Sequence, residues 1–148
     1  MRILKWTFML FALTCMVCSC SDFKDSTDYN IEEQDKQLSG SWRISKATRN
    51  GLDITRLMDF SQFEITFNED QTYTIENYLP FLVRENGTWE IDNPKFPSQI
   101  AFTENGAAGK VSTFEYVIVG GERQMILTFV PGYKTNSYVY TFERSSNE

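Results

Sequence analysis

The side chains able to do chemistry in this chain are carboxylates, lysines and tyrosines. It contains no histidine, and its three cysteines, Cys15, Cys18 and Cys20, all lie at the start. Without imidazole there is no Ser-His-Asp or Cys-His nucleophile and no histidine-bound zinc. A carboxylate hydrolase needs two carboxyls ~5 to 10 Å apart, one with a raised pKa. Glu64, Glu76 and Glu90 instead fall on the polar phase of alternating runs, where water keeps a carboxylate ordinary. The stretch Asn105-Gly106-Ala107-Ala108-Gly109-Lys110 lacks the spacing of a phosphate-binding loop. The expectation is a protein that is not an enzyme and uses no metal and no cofactor. Hydrolysis through Glu64, Glu76, Glu85, Glu90, Asp92 or Glu115 is the alternative. Lys46 and Glu115, in phase with apolar neighbours, read as marks of a strand edge or bulge.

Recognition is what the remaining residues favour. Tyr78-Leu79-Pro80-Phe81-Leu82 is an apolar run around a proline, where a hairpin tip is ordinarily polar. Exposed, it marks a binding site; folded back, it covers the end of the domain. Phe96 and the pair Tyr133 and Lys134 stand in two further loops. The candidate ligand-binding residues are therefore Tyr78, Phe81, Phe96, Tyr133 and Lys134. Alternate turns of a meander share an end, so these loops need not line one mouth.

The elements that must position them are strands. From Leu38 onward, short runs of β-branched and aromatic residues alternate with Gly, Pro, Asn and Asp. The runs are 40–48, 62–68, 72–79, 82–91 in two pieces, 99–103, 110–119, 124–130 and 137–144. Phe63, Ile65 and Phe67 against Glu64 and Thr66 show the period of two. Gly120-Gly121 is a two-residue hairpin turn. One short helix is expected at Ile54 to Phe60, near the first strand, packed over one end of the sheet. Trp42 and Trp89 fall on the apolar phase and read as core. The fold class expected is all-β, an eight-stranded antiparallel up-and-down barrel, whose interior either fills with side chains or holds one small ligand.

The start of the chain reads as an address. Arg2 and Lys5 precede an apolar run from Trp6 to Val17, too short to span a bilayer, and small residues lead to Cys20. Val17 and Ser19 fit the pattern before a lipidated cysteine better at Cys20 than at Cys18. This divides the chain into a lipoprotein signal peptide at 1–19, the lipidated Cys20 with a polar tether to residue 37, and a domain at 38–148. Acidic residues number 20 against 14 basic ones, two of the latter in the leader, a balance that repels phosphate backbones and makes nucleic acid an unsuited partner.

Leu38-Ser39-Gly40-Ser41-Trp42, with a second Gly-x-Trp at Gly87-Thr88-Trp89, resembles the start of lipocalins and related calycins. The resemblance implies that Trp42 caps the closed end of the barrel. The chain is also similar to lipocalin-like domains of unknown function in surface lipoproteins of Gram-negative gut anaerobes. There, a serine and acidic residues after the cysteine, here Ser21-Asp22-Phe23-Lys24-Asp25, direct export to the outer face, and Asp25-Ser26-Thr27 resembles a short O-glycosylation motif. The resemblance implies a lipid-anchored protein of the outer membrane, at the cell surface or on the periplasmic face. Its expected role is to bind a small apolar or amphipathic ligand, or a saccharide, at a barrel mouth. The rival expectation is a structural or interaction module of a surface protein complex.

Overall fold

The structure, a computed structural model, describes residues 32–80, 82–133 and 135–145; Cys20, Phe81 and Lys134 lie outside them. Its strands are β1 (Gly40–Arg49), β2 (Leu52–Asp53), β3 (Glu64–Phe67), β4 (Thr72–Glu76), β5 (Gly87–Ile91), β6 (Gln99–Glu104), β7 (Lys110–Val119), β8 (Glu122–Phe129) and β9 (Tyr138–Arg144). Every neighbouring pair is antiparallel in sequence order, and β1 also pairs with β9, closing the sheet. The result is an eight-strand up-and-down barrel. The two-residue β2 folds back on β1 at Thr48 and Arg49 as an extra edge.

Alternation builds the interior. Phe63, Ile65 and Phe67, Ile100 and Phe102, Met125 and Leu127, and Tyr140 and Phe142 are all buried while their sequence neighbours are more exposed. Successive side chains of a strand point to opposite faces, so one apolar phase per strand suffices to fill a barrel. The filling is largely aromatic: Trp42, Phe67, Tyr73, Phe102, Phe114, Tyr140 and Phe142 are essentially inaccessible. Edge-on ring contacts join them, as in Tyr73 with Phe102 at 5.4 Å and Phe67 with Trp89 at 5.3 Å. One irregularity resets the phase. A bulge between Ile44 and Lys46 lets Ala47 point inward and turns Lys46 to solvent; Glu115 is exposed as well.

Residues 54–60 form turns, not the expected helix. Leu57 N–H and Met58 N–H both donate to the Ile54 carbonyl (3.0 and 3.4 Å), but the ladder stops there. Asp59 stops it by accepting from the Ser61 N–H and hydroxyl, and one turn is too short to offset helix nucleation. The segment still packs on the barrel, through Ile54 and Phe60, the latter edge-on to Tyr140 at 5.7 Å.

The register fixes two ends. One carries turn 68–71, loop 92–98 and hairpin 120–121 together with the start of β1; the other carries 54–63, 77–86, 105–109 and 130–137. At the first end the residues before β1 lie across the barrel: Lys36 N–H donates to the Pro94 carbonyl (2.8 Å), and Tyr116 Oη to the Gln37 carbonyl (2.8 Å). Glu33–Glu148 form one compact unit, so residues 33–37, placed in the tether from sequence, pack with the barrel.

Candidate functional site

Trp42 sits beneath that crossing segment. Its indole N–H donates to the Leu38 carbonyl (2.8 Å), and the Arg144 guanidinium lies over its ring at 4.6 Å. Arg144 also donates to the carbonyls of Ser39 (2.6 Å) and Gln37 (2.8 Å). Trp42 is thus wholly inside and has no face for a ligand. Arg144, on the last strand, carries no local sequence signal that would link it to position 42.

The far end holds the exposed aromatic. β4 stops at Glu76 because Asn77 takes a positive φ of 58°, a conformation asparagine tolerates, and its amide anchors to the Gln62 carbonyl (2.6 Å). The chain then closes a tight loop around Pro80, with Leu79 N–H donating to the Val83 carbonyl (2.9 Å). Leu79, Leu82 and Val83 turn inward and plug this end, whereas Tyr78 is left 64% exposed. Within the described part of the apolar run, Leu79 and Leu82 join Val83 in plugging the end, and the Tyr78 ring is left outside.

Tyr78 borders two clefts. One, of about 580 Å³, is shared with Ile75, Asn77, Arg84, Glu85, Asn86 and Asn105; a notch of about 210 Å³ on its other side runs between Met58, Phe60 and Pro80. The polar rim is organised. Asn86 Oδ1 accepts from the Ile75 N–H (2.9 Å), Asn105 donates to the Glu85 carboxylate, and the Glu104 carboxylate accepts from the Arg84 N–H and from Lys110 Nζ (2.9 Å). Burial pushes the Glu104 carboxyl up, but the Arg84 N–H and the Lys110 ammonium outweigh it and hold the group below the usual carboxylate range. Behind this wall Tyr73 has a buried hydroxyl with no hydrogen-bond partner, pushed up to about 12 by burial and then by Glu104 and Glu85.

The remaining candidates separate. Phe96 is 67% exposed at the opposite end, on a loop shaped by Asp92, which accepts from Ser98 Oγ (2.6 Å), Ser98 N–H (2.8 Å) and Gln99 N–H (3.0 Å). Tyr133 shares the end of Tyr78 and is 85% exposed, but its loop is tied to Asn50 and Arg49, and neither cleft beside Tyr78 reaches it. Sequence reading missed Arg84, Asn86 and Asn105: Arg84 and Asn86 fall in the run 82–91 read as strand in two pieces, and Asn105 entered only within the stretch weighed as a phosphate loop. A third cleft, of about 510 Å³ at the Trp42 end, runs between the 35–39 segment and half-buried Trp89, whose indole N–H donates to the Thr72 carbonyl (3.1 Å).

Among the described residues seven carboxyls depart from ordinary acidity, Glu33, Asp53, Asp59, Glu64, Asp70, Asp92 and Glu104, and each departs downward. None of these is the raised acid that glycoside hydrolysis requires. Among the described residues no cluster of His, Cys, Asp and Glu is set to hold a metal ion. What the Tyr78 cleft offers is one aromatic face beside amides, a guanidinium and a carboxylate.

No curated protein and no solved structure matches the chain. Residues 19–143 match the family described as Domain of unknown function (DUF5004), a span running from just before Cys20 into the last strand. The chain belongs to the DUF5004 family.

Proposed function

We propose that this protein is a non-enzymatic barrel, lipid-anchored through Cys20 at the outer membrane and facing the cell exterior, that binds a saccharide in the Tyr78 cleft. The observation that carries the reading is the exposed Tyr78 ring at the edge of a polar-rimmed space of about 580 Å³. A pyranose presents an apolar C–H face that packs on an aromatic ring, and hydroxyls that need both donors and acceptors. Asn77, Asn86 and Asn105 supply both, Arg84 donates and Glu85 accepts. The alternative of an apolar ligand inside the barrel competes with the aromatic side chains that already occupy it.

The test is calorimetric titration of the protein with hexose oligosaccharides of two to six units. Tyr78→Ala is expected to weaken binding roughly tenfold or more, the equivalent of ~1.4 kcal/mol, while Tyr78→Trp retains it. Equal binding by Tyr78→Ala, or none by the unaltered protein across the panel, would overturn the proposal.

A second reading, docking of a surface protein partner, is favoured by Leu57, Met58 and Tyr133, exposed at the same end as Tyr78. A stoichiometric partner recovered from membranes, and lost on Leu57→Asp, supports that reading; its retention removes it.

A further inference from the structure

The end of the barrel remote from Tyr78 has its own exposed apolar side chains. Phe96 stands out from loop 92–98 at 67% exposure, and Ile118 and Val119 from the β7–β8 hairpin at 62% and 52%. The hairpin projects. β7 pairs with β6 only as far as Thr113, and β8 pairs with β9 only from Gln124 onward, whereas Ile118 and Val119 lie beyond both limits, opposite Arg123 and Glu122. Ile118 continues the inward phase of Ser112, Phe114 and Tyr116 past the edge of the core, so the register that buries its predecessors leaves it with nothing to pack on. Gly120 and Gly121, with φ of 61° and 91°, make the tip a narrow two-residue turn.

The chain enters the barrel at this same end, where Lys36 to Ser39 cross it. We propose that Phe96, Ile118 and Val119 are a lipid-contacting surface that seats this end of the barrel on the bilayer. The inference rests on the reading of Cys20 as the acylated residue. From Cys20 to Glu33 the chain can span at most ~45 Å, and because it joins the barrel at this end, an acyl anchor brings this end to the headgroups more readily than the opposite end, which carries Tyr78. Aromatic and branched aliphatic side chains at loop tips enter the interfacial region by their apolar area. Glu69, Asp70, Asp92 and Glu122 share this end with Lys36, Lys95 and Arg123, so the contact is apolar in character and should change little with ionic strength.

The test uses the lipidated protein purified from membranes and reconstituted in vesicles of phosphatidylethanolamine and phosphatidylglycerol. An environment-sensitive fluorophore is attached at Ile118→Cys or, as the control at the opposite end, at Leu57→Cys; both positions are exposed, so neither change disturbs the core. The expected result is a blue-shifted emission at position 118, quenched by nitroxide-labelled phospholipid and unmoved by salt, with no shift at position 57. Protein that floats with the vesicles but shows no shift at 118, or an equal shift at 57, overturns the inference while leaving the anchor intact. Protein that fails to float overturns the anchor reading and this inference with it. Emission already blue-shifted in detergent-free buffer before vesicles are added assigns the patch to another part of this chain or to a second copy, and overturns the membrane assignment.

Discussion

Arg144 does three things at once at the Trp42 end: it lies over the Trp42 ring and holds the carbonyls of Gln37 and Ser39. Arg144→Ala removes all three, and a loss of about 1–2 kcal/mol in a denaturant titration is expected, with Arg144→Lys recovering only part because an ammonium cannot stack flat or fork between two carbonyls. Tyr78, by contrast, supports nothing, and Tyr78→Ala should leave stability within ~0.5 kcal/mol of the parent. Asp92 gives a pH signature. Hydrogen bonds from the Ser98 hydroxyl, then the Gln99 and Ser98 N–H groups, hold its carboxyl at about 2, against 3.8 ordinarily. A depressed carboxyl stabilises the fold above its unfolded value, and that contribution is lost as pH falls from 3.8 toward 2. Denaturant midpoints of Asp92→Asn should therefore fall less steeply across that window than those of the parent; parallel curves would contradict the assignment.

At the scale of elements, the weakest join in the barrel is β4 to β5, which share only the pairs Thr72 with Thr88 and Tyr73 with Gly87 before loop 77–86 takes over. Gly87 is required there, because a Cβ would stand 2.1 Å from the Thr103 carbonyl oxygen of β6. Gly87→Ala must push β5 from β6, and a loss of about 1–3 kcal/mol is expected, with amide exchange quickening first along β4 and β5. The strands were legible because a period of two is local, and Phe63-Glu64-Ile65-Thr66-Phe67 states it outright. The 54–60 turn was not, since Ile54, Leu57 and Met58 have helical spacing yet only Ile54 is buried, and Asp59 caps the chain into a turn. Nor was the Tyr78 rim, because Asn105 reaches it only through the pairing of β5 with β6, and Arg84 and Asn86 only through the fold of the 77–86 loop.

For the whole molecule, the aromatic filling and the two covered ends leave the proposed saccharide site on the outside of the barrel. Closure through β1 and β9 leaves the sheet continuous, and Trp42 with residues 36–39 covers one end while Leu79, Leu82 and Val83 cover the other. The most direct test is a two-dimensional NMR titration of the protein with hexose oligosaccharides of two to six units. Shifts confined to Asn77, Tyr78, Arg84, Glu85, Asn86 and Asn105 are the expected result. Shifts centred on the inward residues Tyr73, Phe102 and Phe142, or no shifts with any sugar of the panel, would contradict an external saccharide site on a filled barrel.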